Sequence, residues 1–245
     1  MARRVRLDAE LVAQGFFSTT DEAMRAVMAG EVSTTDRKMT SPGEQVRPGI
    51  ALHVRGRKSY ASRGGLKLEH GLDELGVDPA GLNCVDIGCS SGGFTDCLLQ
   101  RGATHVTAVD VGRAQFDWRL RQDERVTLLE QTNIVDVPAM EGHAHAYQLA
   151  VCDVSFTSVC TILPAVVGLL AAGGAFLTLV KPQFEAPRED VGEGGVVRDE
   201  RVRLEALAKV SAAMEAAGFV LHGSCTSPIT GAKGNVEYLL LGRLG

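Results

Sequence analysis

The stretch Val85-Asp86-Ile87-Gly88-Cys89-Ser90-Ser91-Gly92-Gly93-Phe94 decides the fold. Cys84–Ile87 has the make-up of a short buried strand, the glycines that follow form a turn, and Phe94–Leu99 is helical. Glycine lets the backbone approach a ligand closely and adopt conformations that a Cβ forbids. A strand, a glycine turn and a helix in that order open a ligand crevice at the carboxyl ends of the strands of an α/β sheet. The next strand, His105–Val109, ends at Asp110. A carboxylate about two dozen residues beyond such a turn accepts hydrogen bonds from both ribose hydroxyls of an adenosine.

The glycine spacing is G-x-x-x-G-G rather than G-x-G-x-x-G, and Asp86 stands just ahead of the first glycine. A carboxylate there suits the cationic methionine end of S-adenosylmethionine better than a pyrophosphate, which favours bare backbone N–H groups. The loop alone leaves three readings open: a methyltransferase, which it favours, a dinucleotide-dependent dehydrogenase, and a glycine turn with no ligand.

Outward from the loop, strands and helices alternate. Leu68, Leu72 and Leu75 form a helical stripe closed by Gly76. Gln115–Leu120 reads as helix, Val126–Leu129 and Leu149–Cys152 as strands, Val159–Leu170 as helix, and Ala175–Val180 as strand. A long helix, Asp199–Ala217, precedes two last strands, Val220–Thr226 and Val236–Leu241. Such alternation builds βαβ units and a mostly parallel sheet covered on both faces. The longest apolar run, Val159–Val180, contains Thr161, Pro164, Thr178 and Gly173-Gly174, which fits a helix and a buried strand better than a membrane span.

The first sixty or so residues read as a separate small unit of two helices and short strands, and Arg57–Gly65 as a polar, basic, glycine-rich linker. Leu7, Leu11 and Val12 share a face of the first helix. Thr19 caps a second helix, with Glu22 completing a capping box and Ala23, Val27 and Met28 expected to be buried. Charge separates the two regions: residues 1–70 carry 12 Lys/Arg against 8 Asp/Glu, whereas the whole chain has a net charge of −5. A basic front on an acidic body suits contact with a polyanion. The six cysteines form no CxxC pair and read as buried thiols rather than metal ligands or disulfides. His143 and His145 read as a solvated loop. No metal site is expected, and with no secretion signal in view the protein is expected in the cytoplasm.

Charged residues recur at strand ends: Asp153 after Cys152, Lys181 after Val180, and Glu237 at the opening of the last strand. Two carboxylates and a lysine at neighbouring sheet rims suggest a site, with a structural ion-pair cluster as the alternative. With these motifs in order along nearly the whole chain, the sequence resembles the TlyA family, whose members are described both as haemolysins and as ribosomal RNA 2′-O-methyltransferases. The matching motifs include Arg3–Val12, Ser62–Leu68, the Asp86 loop, Asp110-Val111-Gly112, Glu130–Asn133, Asp153–Phe156, Val180–Glu185, Gly194–Val197 and Gly234–Tyr238. Leu66 stands where relatives are expected to carry a polar residue or His, and the chain ends soon after Tyr238–Leu241.

The resemblance implies a Rossmann-like class I methyltransferase of mostly parallel, seven-stranded α/β architecture (residues 66–245). Ahead of it would lie a small α+β, ribosomal-S-four-like RNA-binding domain (residues 1–60) and a linker at 61–65. It implies a catalytic set of Lys67, Asp153, Lys181 and Glu237, although composition alone makes Lys67 a surface residue. It places S-adenosylmethionine against Asp86, Gly88, Ser90, Gly92, Gly93, Phe94, Asp110, Asn133 and Asp153. RNA contacts are expected at Arg3, Arg4, Arg6 and Arg63, with ribosomal RNA or ribosomal subunits as the partner and no membrane. A ribose 2′-hydroxyl must lose its proton as it attacks a methyl group. Lys181 is read as the base or hydroxyl-orienting group, with Lys67 adding positive charge and the two carboxylates positioning both lysines. Two rival readings are a membrane-active haemolysin, which liposome dye release would detect, and an RNA-binding protein that keeps the fold without catalysis.

Overall fold

The computed structural model describes residues 4–14, 16–17, 19–34, 36–50, 52–56, 60–113, 115–231 and 233–245. The chain divides into two compact units, Met1–Arg63 and Gly64–Gly245.

The first unit contains β1 (Val5–Arg6), α1 (Leu7–Ala13), α2 (Thr20–Met28), β2 (Val32–Ser33), β3 (Gln45–Val46) and β4 (His53–Val54). β1 pairs antiparallel with β3, and β2 with β4. Thr19 caps α2, its Oγ1 accepting from the Glu22 amide at 3.3 Å. Leu7 and Leu11, one turn apart on α1, pack with Ala23, Ala26 and Val27 of α2 and with Phe16, Phe17 and Met39. Met28 does not join them and is 76% exposed. It lies about 100° around the helix from Val27, so Ala26 completes the i, i+3, i+4 stripe in its place. The buried carboxylate of Glu10 is satisfied, with Oε1 accepting from Gln14 Nε2 and from the Gly49 amide, each at 2.8 Å.

The second unit runs α3 (Gly64–Glu74), β5 (Asn83–Ile87), α4 (Gly93–Gln100), β6 (His105–Asp110), α5 (Trp118–Arg121) and β7 (Val126–Glu130). It continues with β8 (Tyr147–Cys152), α6 (Val159–Leu169), β9 (Leu170–Val180), α7 (Pro182–Glu185), α8 (Glu200–Ala216), β10 (Phe219–Thr226) and β11 (Tyr238–Leu244). Gly64 and Gly65, which read from sequence as linker, are the first residues of α3. The helix expected at Gln115–Leu120 is the shorter α5, capped by Asp117, which accepts from the Arg119 amide at 2.8 Å.

Among the described residues, seven strands form one sheet in the order β10-β11-β9-β8-β5-β6-β7. β5 through β9 are parallel to one another, and β11 runs antiparallel between β9 and β10. The strand order reverses between β5 and β8, which opens a crevice above their carboxyl ends. The strands pair along near-continuous apolar runs, and Val85, Leu149, Ala150, Val151, Phe176 and Leu177 are all fully buried.

One glycine fixes where α3 lies. A Cβ on Gly71 would stand 2.5 Å from Leu239 Cδ2 of β11, so only glycine lets helix and strand approach this closely. Lys67 is one helical turn before Gly71, on the same face. The close approach therefore carries Lys67 to the start of β11.

Candidate active site

The turn after β5 is built under steric constraint. Gly88 has φ +80°, and a Cβ there would lie 3.2 Å from the Asp153 carbonyl group, so the ends of β5 and β8 meet backbone to backbone. Gly92, at φ +92°, ends the turn where a Cβ would strike Leu120 at 2.5 Å. Gly93 and Phe94 are buried in the first turn of α4. Ser90 is exposed at φ +48°, and its amide donates to Asp110 Oδ2 at 2.8 Å. Asp110 Oδ1 accepts from the Gly112 amide at 2.7 Å. The Asp110 carboxylate thus ties the glycine turn to the end of β6 while remaining half-buried. The Thr132 amide donates to the Asp110 carbonyl at 3.0 Å, which seats the Asn133 segment beside it. Asn133 caps the following 3₁₀ turn through the Val135 amide.

Asp86 lies beneath this turn and is fully buried. Its Oδ2 accepts from Thr95 Oγ1 at 2.6 Å, whereas Oδ1 is buried with no hydrogen-bond partner. Burial pushes its carboxyl up to about 7, only partly offset by the Thr95 hydroxyl. A buried carboxylate oxygen with an open valence beneath a glycine cradle is a place for a donor or a cation.

The four charged residues of the sequence reading lie at the same rim. Lys67 Nζ is 2.5 Å from Glu237 Oε2, and both side chains are almost wholly buried. Lys181 follows β9, is buried, and lies 2.6 Å from Asp153 Oδ1. No donor is aimed along that oxygen's hydrogen-bonding direction, so this contact is an ion pair. Lys181 Nζ also donates to Ser155 Oγ at 2.8 Å and to the Asp153 carbonyl at 3.3 Å. The sheet register pairs Tyr238 with Val180, which sets Glu237 and Lys181 beside one another at adjacent strand ends. Two lysines, each on its own carboxylate, therefore flank the crevice next to the glycine turn.

Other residues shape this rim that composition and periodicity do not single out. Phe156 is 91% exposed at φ +65°, a conformation unfavourable for a bulky side chain, and its ring packs against Phe184 with centroids 5.4 Å apart. Glu185 is buried and caps α6, accepting from the Val159 amide at 2.7 Å and from Ser158 Oγ at 2.5 Å. It thereby ties the segment after Lys181 to the loop after Asp153. Both lie inside stretches that carry the resemblance, so the signal is present as motif but not as role. His143 meets the Tyr147 hydroxyl and His145 Nδ1 lies 3.0 Å from the Leu170 carbonyl, so this loop is held rather than merely solvated. All six cysteines are free, and burial pushes the Cys84 and Cys152 thiols up to about 12. Among the described residues, no group of three or more His, Cys, Asp or Glu is placed to hold a metal ion.

In the first unit Arg4 is exposed and donates to the Gln45 carbonyl at 3.4 Å. Arg6 is committed to buried Asp8 through two hydrogen bonds of 3.0 and 2.5 Å. Arg63 is half-buried. Arg3 and Arg57–Ser59 lie outside the described residues. No described helix is long and apolar enough to cross a membrane.

The fold is shared with known proteins. The FtsJ-like methyltransferase family matches residues 60–244. YqxC of Bacillus subtilis, named as an rRNA methyltransferase, is 44% identical over 240 residues, covering 98% of this chain and 85% of that protein. A Mycobacterium tuberculosis protein named 16S/23S rRNA (cytidine-2′-O)-methyltransferase TlyA is 40% identical over 242 residues, covering 98% and 90%. A solved structure from Streptococcus thermophilus, named as a haemolysin, superposes with a TM-score of 0.78 at 40% identity, covering all of this chain and 90% of that one. The mostly parallel sheet, the glycine turn at its switch point and these full-length relatives agree: the chain belongs to the FtsJ-like methyltransferase family, within its TlyA group.

Proposed function

We propose that this protein transfers a methyl group from S-adenosylmethionine to a ribose 2′-hydroxyl, that of a cytidine, in ribosomal RNA. The observation that carries the reading is the convergence of Lys67, Asp153, Lys181 and Glu237 on one rim, next to the glycine turn. Asp86, Gly88, Ser90, Gly92, Gly93, Phe94, Asp110, Asn133 and Asp153 would hold the cofactor. The unpartnered oxygen of buried Asp86 and the Asp110 carboxylate at the end of β6 fit a ligand with a cationic amino-acid end and an adenosine. When bound, that cofactor supplies an electrophilic methyl group on a sulfonium.

The chain's own part is to hold and deprotonate the hydroxyl. Lys181, fixed by Asp153 and Ser155, orients the hydroxyl; by passing one of its own protons to the Asp153 carboxylate it takes up the hydroxyl's proton as the methyl group is transferred. The Lys67–Glu237 pair adds a fixed dipole at the rim and remains neutral as a unit. Alignment at such a site contributes several kcal/mol, on the order of what proximity gives in other enzymes. Exposed Phe156, beside Ser155, offers a face on which a base can stack.

Residues 1–60 are proposed as a ribosomal-S-four-like RNA-binding domain. Arg3, Arg4 and Arg63 would contact phosphates, with Arg6 fixing the local fold through Asp8 as well. Ribosomal RNA as substrate implies work in the cytoplasm. The test is transfer of label from methyl-labelled S-adenosylmethionine to ribosomal subunits, with Lys181→Ala beside the wild type. The variant is expected to lose transfer and keep cofactor affinity; wild-type turnover in it removes Lys181 from the chemistry.

A further inference from the structure

The carboxylate of Glu237 is located by a missing side chain. Its Oε2 meets Lys67 Nζ at 2.5 Å. Its Oε1 lies over Gly231, where a Cβ would stand 2.5 Å from that oxygen and 3.2 Å from Cδ. Gly231 is not in the left-handed region, so its backbone would accept a side chain and the space alone requires glycine. The turn that carries it is closed twice: the Gly231 amide donates to the Asn235 carbonyl at 2.9 Å, and the Gly234 amide to the Gly231 carbonyl at 2.8 Å. Asn235, two residues before Glu237, is buried with both ends of its side chain used. Its Oδ1 accepts from the Val197 amide at 2.9 Å, and its Nδ2 donates to the Gly195 carbonyl at 2.8 Å. The Gly194–Val197 motif, to which the proposed chemistry assigns nothing, is thereby the anchor of the turn.

We infer that Gly231 is a positioning residue, held in place by Asn235, whose missing side chain sets the Glu237 carboxylate against Lys67. The inference rests on the reading of Glu237 as part of the reacting set. A methyl group at position 231 meets the movable end of a side chain rather than backbone, so the chain absorbs it by displacing that carboxylate. The ion pair with Lys67 then lengthens, and the lysine leaves its fixed position at the rim. Displacement of a reacting group by about 1 Å lowers turnover on the order of 10²-fold.

The test is Gly231→Ala in the full chain, alone and combined with Glu237→Ala. Methyl transfer to ribosomal subunits, S-adenosylmethionine titration and the urea midpoint are measured for each. Gly231→Ala is expected to fold, to keep cofactor affinity and to lower kcat on the order of 10²-fold. In the Glu237→Ala background the added methyl has no carboxylate to displace, so it shifts the urea midpoint no further. Wild-type kcat in Gly231→Ala overturns the inference. So does failure of that variant to fold, or an equal midpoint shift in both backgrounds, because the methyl then acts on the backbone and not through Glu237. Full turnover in Glu237→Ala alone is a separate failure, which removes Glu237 from the reaction and the inference with it.

Discussion

Lys67 and Glu237 meet as a buried ion pair, 2.5 Å from Nζ to Oε2, although 170 residues separate them in the chain. The pair exists because Gly71 lets α3 settle onto Leu239. A buried pair is weak evidence for stability, but breaking one half strands a charge in a place without water. Glu237→Ala is therefore expected to destabilise the fold by about 3–5 kcal/mol. Lys67→Met combined with Glu237→Leu should cost much less. Urea unfolding of the three proteins checks this; equal destabilisation in the single and double variants would mean that the pairing does not matter.

Asp110 acts twice, as the proposed ribose acceptor and as the acceptor for the amides of Ser90 and Gly112. Asp110→Ala leaves both amides without that acceptor and loosens the glycine turn. A hydrogen bond to a charged group contributes about 1.5–3 kcal/mol, so cofactor affinity should fall at least roughly tenfold. Calorimetric titration with S-adenosylmethionine reads it directly, and an unchanged affinity removes Asp110 from the cofactor site.

Asp86 makes the ligand-free protein pH-dependent. Its carboxyl is raised from the ordinary 3.8 to about 7 by burial. The folded state therefore holds a proton that the unfolded state has released, and stability falls as pH rises from about 4 to about 7 and then levels. The upper bound of that fall is about 4 kcal/mol, at about 1.4 kcal/mol for each pH unit between the two values. Asp86→Asn should flatten this part of the curve, stabilise the ligand-free protein at pH 8, and weaken cofactor binding. Urea midpoints for both proteins at pH 5 and pH 8 that move in parallel would contradict it.

Much of this architecture is legible in the sequence. The strands stand out as short apolar runs, because strands buried on both faces carry few polar residues to blur them. The glycine turn and Asp110 stand out because they fall at the ends of successive runs of this kind. Lys67 is legible only by resemblance: nothing in its neighbourhood tells a lysine that points at solvent from one carried inward by Gly71. Met28 misleads because Val27 is the last position of the i, i+3, i+4 stripe that Ala23 opens, and the next residue turns about 100° away from it. Gly231, Asn235 and Glu185 are silent as roles because each acts across 26 to 40 residues or through space that only the fold defines.

The first unit should contribute affinity through its basic residues. Deleting residues 1–60 is expected to weaken binding to ribosomal RNA and to reduce its dependence on salt, by a slope of about one for each phosphate no longer neutralised. Arg4→Ala should lower that slope alone, whereas Arg6→Ala should also lower the stability of the unit, since Asp8 is buried against it. Filter binding across a salt series decides this, and an unchanged slope after the deletion removes the RNA-binding role.

Methyl transfer to a ribose hydroxyl by the Lys67, Asp153, Lys181 and Glu237 rim is read out by nucleoside mass spectrometry. Ribosomal subunits would be incubated with the protein and methyl-labelled S-adenosylmethionine, then digested. Label is expected in 2′-O-methylcytidine, and none when Lys181→Ala replaces the wild type. Label on a base, or no transfer by the wild type, would contradict it.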